Sequence, residues 1–181
     1  MKGIIIYKSK YGATRQYADW LCSLLHLPAV VDDDFTGKNL QDYDYFVIGS
    51  SVYIGKLLIR DWLRKNMEVI RNKKIFLFIV CGTRPENREQ LDMIVRENLA
   101  PELRNACTIY FLPGRMNRSK LSRMDRFLLK MGAMLTKNPE DKKNMSRDYD
   151  AVKKENLAPF LNTVTTYAGN SAKNNLLSGV S

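Results

Sequence analysis

Cysteine and histidine are scarce in this chain of 181 residues, which has three of the first and one of the second. Cys22, Cys81 and Cys107 are odd in number and lack any CxxC spacing, so neither a disulfide framework nor a zinc site is expected. His26, alone at the end of the first helical pattern, argues against a histidine metal cluster and reads as a surface or packing residue. No apolar run approaches the roughly 18 residues of a spanning helix, so no integral membrane segment is expected. The N-terminus enters an apolar strand without a signal-peptide pattern, and a cytoplasmic location is expected. The nucleotide loop G-x-x-x-x-G-K-[ST] is missing, which disfavours ATP and GTP, and so is the G-x-G-x-x-G that would favour NAD. The first strand ends in Tyr7 and Lys8 rather than in an acidic pair, against a phospho-acceptor receiver site. No internal repeat is visible.

What is present is an ordinary globular composition, 45% hydrophobic and 27% charged, long enough for one domain with a sizeable core. Apolar runs recur at Gly3–Tyr7, Ala29–Val31, Tyr45–Gly49, Ile75–Cys81 and Thr108–Leu112, as parallel strands covered on both faces require. Amphipathic helical patterns over Ala13–Leu25, Lys56–Ile70 and Asn87–Leu99 separate them. The polar segment Asp33–Asp42 predicts a stunted helix or a loop. A last helix is expected from about Tyr149 to Tyr167, kinked or split by Pro159. This alternation predicts an α/β three-layer sandwich around a five-stranded parallel sheet of order 2-1-3-4-5. One domain spans 1–168, interrupted by a basic helical insertion at about 115–147. The Asn-, Ser- and Gly-rich segment 169–181 is expected to be a disordered tail.

In that strand order the switch point lies between strands 1 and 3, so a ligand should touch the turns after strands 1, 3 and 4. The first turn, Ser9 Lys10 Tyr11 Gly12 Ala13 Thr14, opens a helix. Its backbone N–H groups and the positive end of the helix dipole make an anion site, most naturally for a phosphate. Taken alone, the pattern suits a helix N-cap equally well. The second turn, Gly49 Ser50 Ser51 Val52 Tyr53 Ile54 Gly55, presents small residues and one aromatic at the carboxyl end of the sheet. Tyr53 can stack on a planar ring there, and the glycines let backbone approach it. Together the two turns are better explained by a flat, phosphorylated ligand than by capping and packing.

Ser9-x-x-Gly12-x-Thr14 after strand 1 and Gly49-Ser50-Ser51-x-Tyr53-x-Gly55 after strand 3 resemble the flavodoxin family over residues 1–114 and 149–167. The resemblance implies bound FMN. It implies a phosphate resting on Ser9, Lys10, Tyr11, Gly12, Ala13 and Thr14. The isoalloxazine would lie between Ser50, Ser51, Val52, Tyr53, Ile54 and Gly55 on one side and Cys81, Gly82, Thr83 and Arg84 on the other. Tyr53 would stack on it, with the Gly55 backbone a candidate partner for N5. The third turn departs from the family pattern, because it lacks the acidic Gly-Asp and the following Tyr, so no second aromatic is assigned there. The insertion after the last strand, with Met124 Asp125 Arg126 Phe127 Leu128 Leu129 Lys130, is similar to that of the flavodoxin-like menaquinone-dependent protoporphyrinogen oxidases. Other flavodoxin-domain proteins share the layout. The narrower resemblance implies oxidation of protoporphyrinogen IX with a quinone as acceptor.

The net charge of +10 is concentrated. Between Arg115 and Lys154 twelve basic residues face five acidic ones, a surplus of seven, while the rest of the chain is close to neutral. Lys8, Lys10, Lys56, Arg84 and Arg88 also surround the expected flavin. Reduction by two electrons tends to leave an anion at flavin N1, and basic surroundings favour it. A less negative potential than that of an electron-carrying flavodoxin is therefore expected, with two-electron chemistry. No constellation of acid, base and nucleophile is visible, which a flavoenzyme tolerates because the cofactor carries the hard chemistry.

Within the insertion, Leu121, Met124, Phe127, Leu128, Met131, Met134 and Leu135 recur at three- and four-residue spacing, with Arg118, Lys120, Arg123, Arg126 and Lys130 between them. Three readings of this basic amphipathic helix stand open. It packs its apolar stripe on the domain, lies on an anionic membrane near a quinone, or covers a large substrate whose carboxylates it pairs. A nucleic-acid partner is not expected, since the run lacks stacking aromatics. The expected function is an FMN-dependent oxidoreductase, cytoplasmic or peripheral on the inner face of the membrane. The alternatives are a nonenzymatic carrier docking a redox partner through the insertion, and a module that has lost its flavin.

Overall fold

A computed structural model describes residues 1–33, 35, 40–135, 142 and 147–178. Five parallel strands form its centre: β1 (Gly3–Lys8), β2 (Ala29–Val31), β3 (Tyr45–Tyr53), β5 (Lys74–Cys81) and β6 (Cys107–Pro113). Their spatial order is β2-β1-β3-β5-β6, the 2-1-3-4-5 order expected of the parallel strands. A two-residue strand, β4 (Lys56–Leu57), is added antiparallel to β3.

Alternate residues of each strand face opposite layers. Ile4, Ile6, Phe46, Ile48, Ile75, Leu77 and Ile79 pack against Trp62 and Leu63 of α2 (Arg60–Ile70), Ile94 of α3 (Arg88–Asn98) and Leu103 of α4 (Pro101–Ala106). Ile5, Tyr7, Val47, Phe76, Phe78 and Val80 pack against Tyr17 and Leu21 of α1 (Ala13–Leu25) and Phe160 and Val164 of α6 (Ala158–Ser178). The three layers are therefore as expected. The continuous apolar runs are what a sheet buried on both sides demands. His26 ends α1 in the left-handed region, φ 54°, and is exposed, so its role is that of a helix C-cap.

Several local expectations are corrected. The helical pattern from Lys56 begins only at Arg60, because Lys56 and Leu57 return along β3 as a hairpin and Leu57 is buried. The helix expected from Tyr149 begins at Ala158. Tyr149 and Asp150 instead form β8 (Tyr149–Asp150), antiparallel to β7 (Arg115–Met116). Pro159 then falls in the first helical turn, where a missing N–H costs nothing, so it neither kinks nor splits the helix. That helix runs on to Ser178, so 169–178 is helical rather than a tail, and 179–181 lie outside the described residues. Leu40–Asp42 is one 3-10 turn, and most of the rest of the expected 33–42 loop lies outside the described residues. The insertion leaves and re-enters the domain at the β7–β8 pair. Its helix is α5 (Arg123–Leu135), and 136–141 and 143–146 are not described.

Candidate functional site

The turn after β1 is held open by Gly12, whose φ of 84° is in the left-handed region. Its N–H donates to Ser9 Oγ at 3.2 Å, and its carbonyl accepts the first α1 bond from the Gln16 N–H at 3.0 Å. The N–H groups of the first helical turn have no partner within the helix and are available to an anion. Thr14, fully buried beneath them, has an Oγ1 without a partner.

The second turn is tighter than the sequence suggests. β3 continues through Tyr53, and Ile54 (φ 49°) with Gly55 (φ 72°) make a two-residue hairpin to β4. Two successive positive φ values are the signature of a type I′ turn. At Ile54 this is strained, since a β-branched side chain rarely enters that region. Asn98 of α3 braces the hairpin from beneath. Its Nδ2 donates to the Gly55 carbonyl at 2.8 Å, and its Oδ1 accepts from the Leu57 N–H at 2.8 Å.

These turns, the turn after β5 and the insertion enclose one cavity of about 910 Å³, near the upper end of the range for ligand sites. Ser9, Lys10, Tyr11, Ala13 and Thr14 line it from the first turn, and 51–55 from the hairpin. Cys81, Gly82 and Thr83 line it from the third. Three expected residues do not line it. Gly12 sets the backbone of its turn. Ser50 is fully buried, its Oγ donating to the Ser51 carbonyl and accepting from the Ile59 N–H, so it caps the chain below the site. Arg84 lies beyond the lining.

The insertion supplies the opposite wall through Met116, Leu121, Leu128, Leu129 and Met131, with Lys120 and Arg115 among them. Two contributions had no clear sequence signal. Tyr149, assigned from sequence to a helix, sits against Gly82 instead; its hydroxyl lies 2.7 Å from where a Gly82 Cβ would be. The third turn thus acquires an aromatic neighbour from β8. Asp125, 7% exposed, projects from α5 and accepts hydrogen bonds from the hydroxyls of Tyr11 and Tyr53. It also pairs with Lys10 Nζ at 2.9 Å. That ammonium lies 3.5 Å from the centroid of the Tyr53 ring. Burial pulls the Lys10 pKa down, but hydrogen bonds to Asp125 and Tyr53 and their charges outweigh it and hold it above the ordinary lysine value. Burial pushes the thiol of Cys81 and the phenol of Tyr149 up, so both are neutral at physiological pH.

The family model described as Flavodoxin domain matches residues 4–143. No curated protein matches the chain. Among solved structures, a flavodoxin from the domain Archaea is 16% identical and covers 81% of this chain and 100% of its own, with a TM-score of 0.43. Oxidised Flavodoxin 1 from Bacillus cereus is 16% identical, covering 75% and 100% at a TM-score of 0.43. The Trp repressor binding protein from Bacillus subtilis is 14% identical, covering 76% and 99% at 0.42. The residues present fit FMN, the cofactor this match implies. Thr14 Oγ1 and Ser51 Oγ are buried in the cavity lining without partners, and the free N–H groups of α1 lie beside the former.

Proposed function

The chain belongs to the flavodoxin domain family and its cofactor is FMN; we propose that it is an oxidoreductase taking two electrons from a large apolar substrate held between the flavin and α5. The observation that carries the proposal is the shared cavity, one wall of which is the cofactor turns and the other the apolar inner face of the insertion. A carrier that only passes electrons to a docked protein has no use for a large recess, half open to solvent and mostly apolar, beside its cofactor turns. When bound, FMN supplies the redox chemistry.

The chain's own residues have separable tasks in this reading. The 9–14 turn holds the phosphate through backbone N–H groups and Thr14. The Tyr53 hairpin and the 81–83 turn would hold the ring system, with Tyr149 against Gly82 of the latter. Leu121, Leu128 and Leu129 exclude water and supply apolar contact. Lys120 at the cavity wall pairs a substrate carboxylate, while Arg115 is held by Asp150 and Gln16. Protoporphyrinogen IX, apolar in body and carboxylate-bearing, has that character, and a quinone would be the acceptor. The test is to load the full chain with FMN and assay protoporphyrinogen oxidation anaerobically with a menaquinone analogue, alongside a spectroelectrochemical titration. Turnover without a stable blue semiquinone is expected. A high semiquinone yield with no turnover favours the carrier, and a chain that takes up no FMN leaves only the module without flavin.

A second reading concerns location, and the outer face of α5 favours it. Met124, Phe127 and Met134 are 65%, 60% and 74% exposed on a helix carrying Arg123, Arg126 and Lys130. No helix among the described residues is long and apolar enough to cross a membrane. This stripe instead suits one lying on an anionic bilayer, close to a quinone pool. Sedimentation with phosphatidylglycerol vesicles at moderate salt should deplete the full chain from solution. A chain lacking 117–148 should stay in the supernatant, and equal sedimentation of both sinks the idea.

A further inference from the structure

Helix α5 begins with Ser122 as its N-cap, the hydroxyl accepting from the Asp125 N–H at 3.1 Å. An acidic residue three places after a serine cap ordinarily turns back to the helix end. Asp125 does not. Its carboxylate reaches Lys10 and Tyr11 in the turn after β1 and Tyr53 in the hairpin after β3, residues 115, 114 and 72 places away. One side chain of the insertion thereby ties together the two turns on which the cofactor reading depends. A carboxylate this buried is costly to leave without partners, and three donors from outside its own helix supply them.

The arrangement is more specific than apolar packing. Leu121 and Leu128 would tolerate α5 sliding or rotating over the cavity, because hydrophobic contact is non-directional. A carboxylate held by two phenols and an ammonium fixes one position. The same three donors belong to the cavity lining, so any opening of α5 that admits a ligand must break them, exchanging each for water.

We propose that Asp125 is a positioning residue that latches α5 onto the two cofactor turns, so that closure of the insertion and retention of FMN are one coupled event. The proposal rests on the reading of this cavity as the FMN site. With the latch made, the 9–14 turn and the Tyr53 hairpin are held in register beneath α5, and the cofactor leaves only after the latch opens. Without it, α5 opens while the turns persist, and FMN escapes without waiting.

The experiment loads the full chain with FMN and follows its release after dilution by recovery of free-flavin fluorescence. Asp125→Asn is compared with wild type and with the double variant Tyr11→Phe, Tyr53→Phe, which removes two donors and keeps the carboxylate. Tryptic cleavage at Arg123, Arg126 and Lys130 is followed in parallel, with and without FMN. Expected are release at least roughly tenfold faster in both variants, protection of α5 by FMN in wild type, and loss of that protection in the variants. Thermal melting separates a purely structural role: a lowered midpoint with wild-type release and protection overturns the proposal. So does wild-type behaviour in the double variant, should Asp125→Asn fail to fold. If wild type takes up no FMN, the cofactor reading itself falls and the coupling with it; normal uptake with unchanged release removes the coupling alone.

Discussion

Phe78 occupies the space that a side chain on Gly49 would need. The two are register partners on β5 and β3, and the ring lies across the bare glycine of the neighbouring strand. Tyr45 covers Gly3 in the same way from β3 to β1. The absence of a side chain at Gly49 therefore serves the core rather than the approach of a ligand, contrary to the reading of that glycine from sequence. Gly49→Ala should cost about 1–3 kcal/mol by overpacking, read as a shift in the urea midpoint. Phe78→Leu should cost less in the Gly49→Ala background than in wild type. Simple additivity of the two would show that the ring and the glycine are not coupled.

Asn98 should matter more than its place on a surface helix suggests. It is 7% exposed, and besides the two hairpin bonds its Nδ2 donates to the Ile94 carbonyl at 2.8 Å. Asn98→Ala strands the buried Leu57 N–H, at about 1–3 kcal/mol, and leaves the carbonyl of the exposed Gly55 to water. The strained Ile54 turn would lose its brace, so FMN affinity should fall together with the melting temperature. Unchanged affinity in a destabilised variant would mean that the hairpin holds its shape unaided.

Gly82 and Tyr149 make a reciprocal pair. A Cβ at Gly82 meets the Tyr149 hydroxyl and little else. Gly82→Ala should therefore displace Tyr149 and weaken FMN binding several-fold, while Gly82→Ala with Tyr149→Phe should recover most of it. Flavin fluorescence titration of the four proteins decides the matter. No recovery in the double variant would place the fault in the backbone of the turn.

Alkaline pH should unfold the protein partly through one thiol. Burial raises the Cys107 pKa from 9.0 to about 12, with Lys74 opposing it only in part. An unfolded cysteine ionises near pH 8.5. The unfolded state thus releases its proton first, and the stability associated with Cys107 is intact below that pH and declines as pH rises toward 12. Cys107→Ala should flatten the fall of the denaturant midpoint across that window. At about pH 8 a thiol reagent should find the buried Cys81 slow until guanidinium is added, and the half-buried Cys22 and Cys107 faster. Fast reaction at all three cysteines would contradict the burial.

Five strands and the first three large helices were legible because each is announced by a long, one-purpose pattern, such as Ile4–Ile6 or Phe76–Val80. What escaped are features set by tertiary contact. Lys56 and Leu57 continue a helical periodicity, yet two positive φ values just before them turn the chain back into a strand. Tyr149 opens the stretch read from sequence as the last helix, and only pairing with Met116 makes it a strand residue. The cofactor turns were legible through Ser9, Gly12, Thr14 and Tyr53, residues whose chemistry is local. Asp125 was not, since a single acid amid Arg123, Arg126 and Lys130 reads as charge balance on an exposed helix. Its partners are far away in sequence, and no periodicity records them.

The pairing of Arg115 with Asp150 and Met116 with Tyr149 has one more consequence. The chain leaves the domain and comes back to it through this separate two-stranded pair, so everything between is a detour with a closed neck. Such a segment can lengthen, shorten or be exchanged without asking the strands to move. What such a change must respect lies elsewhere, in the reach of Asp125 to Lys10, Tyr11 and Tyr53, the buried carboxylate by which the detour grips the turns of the sheet.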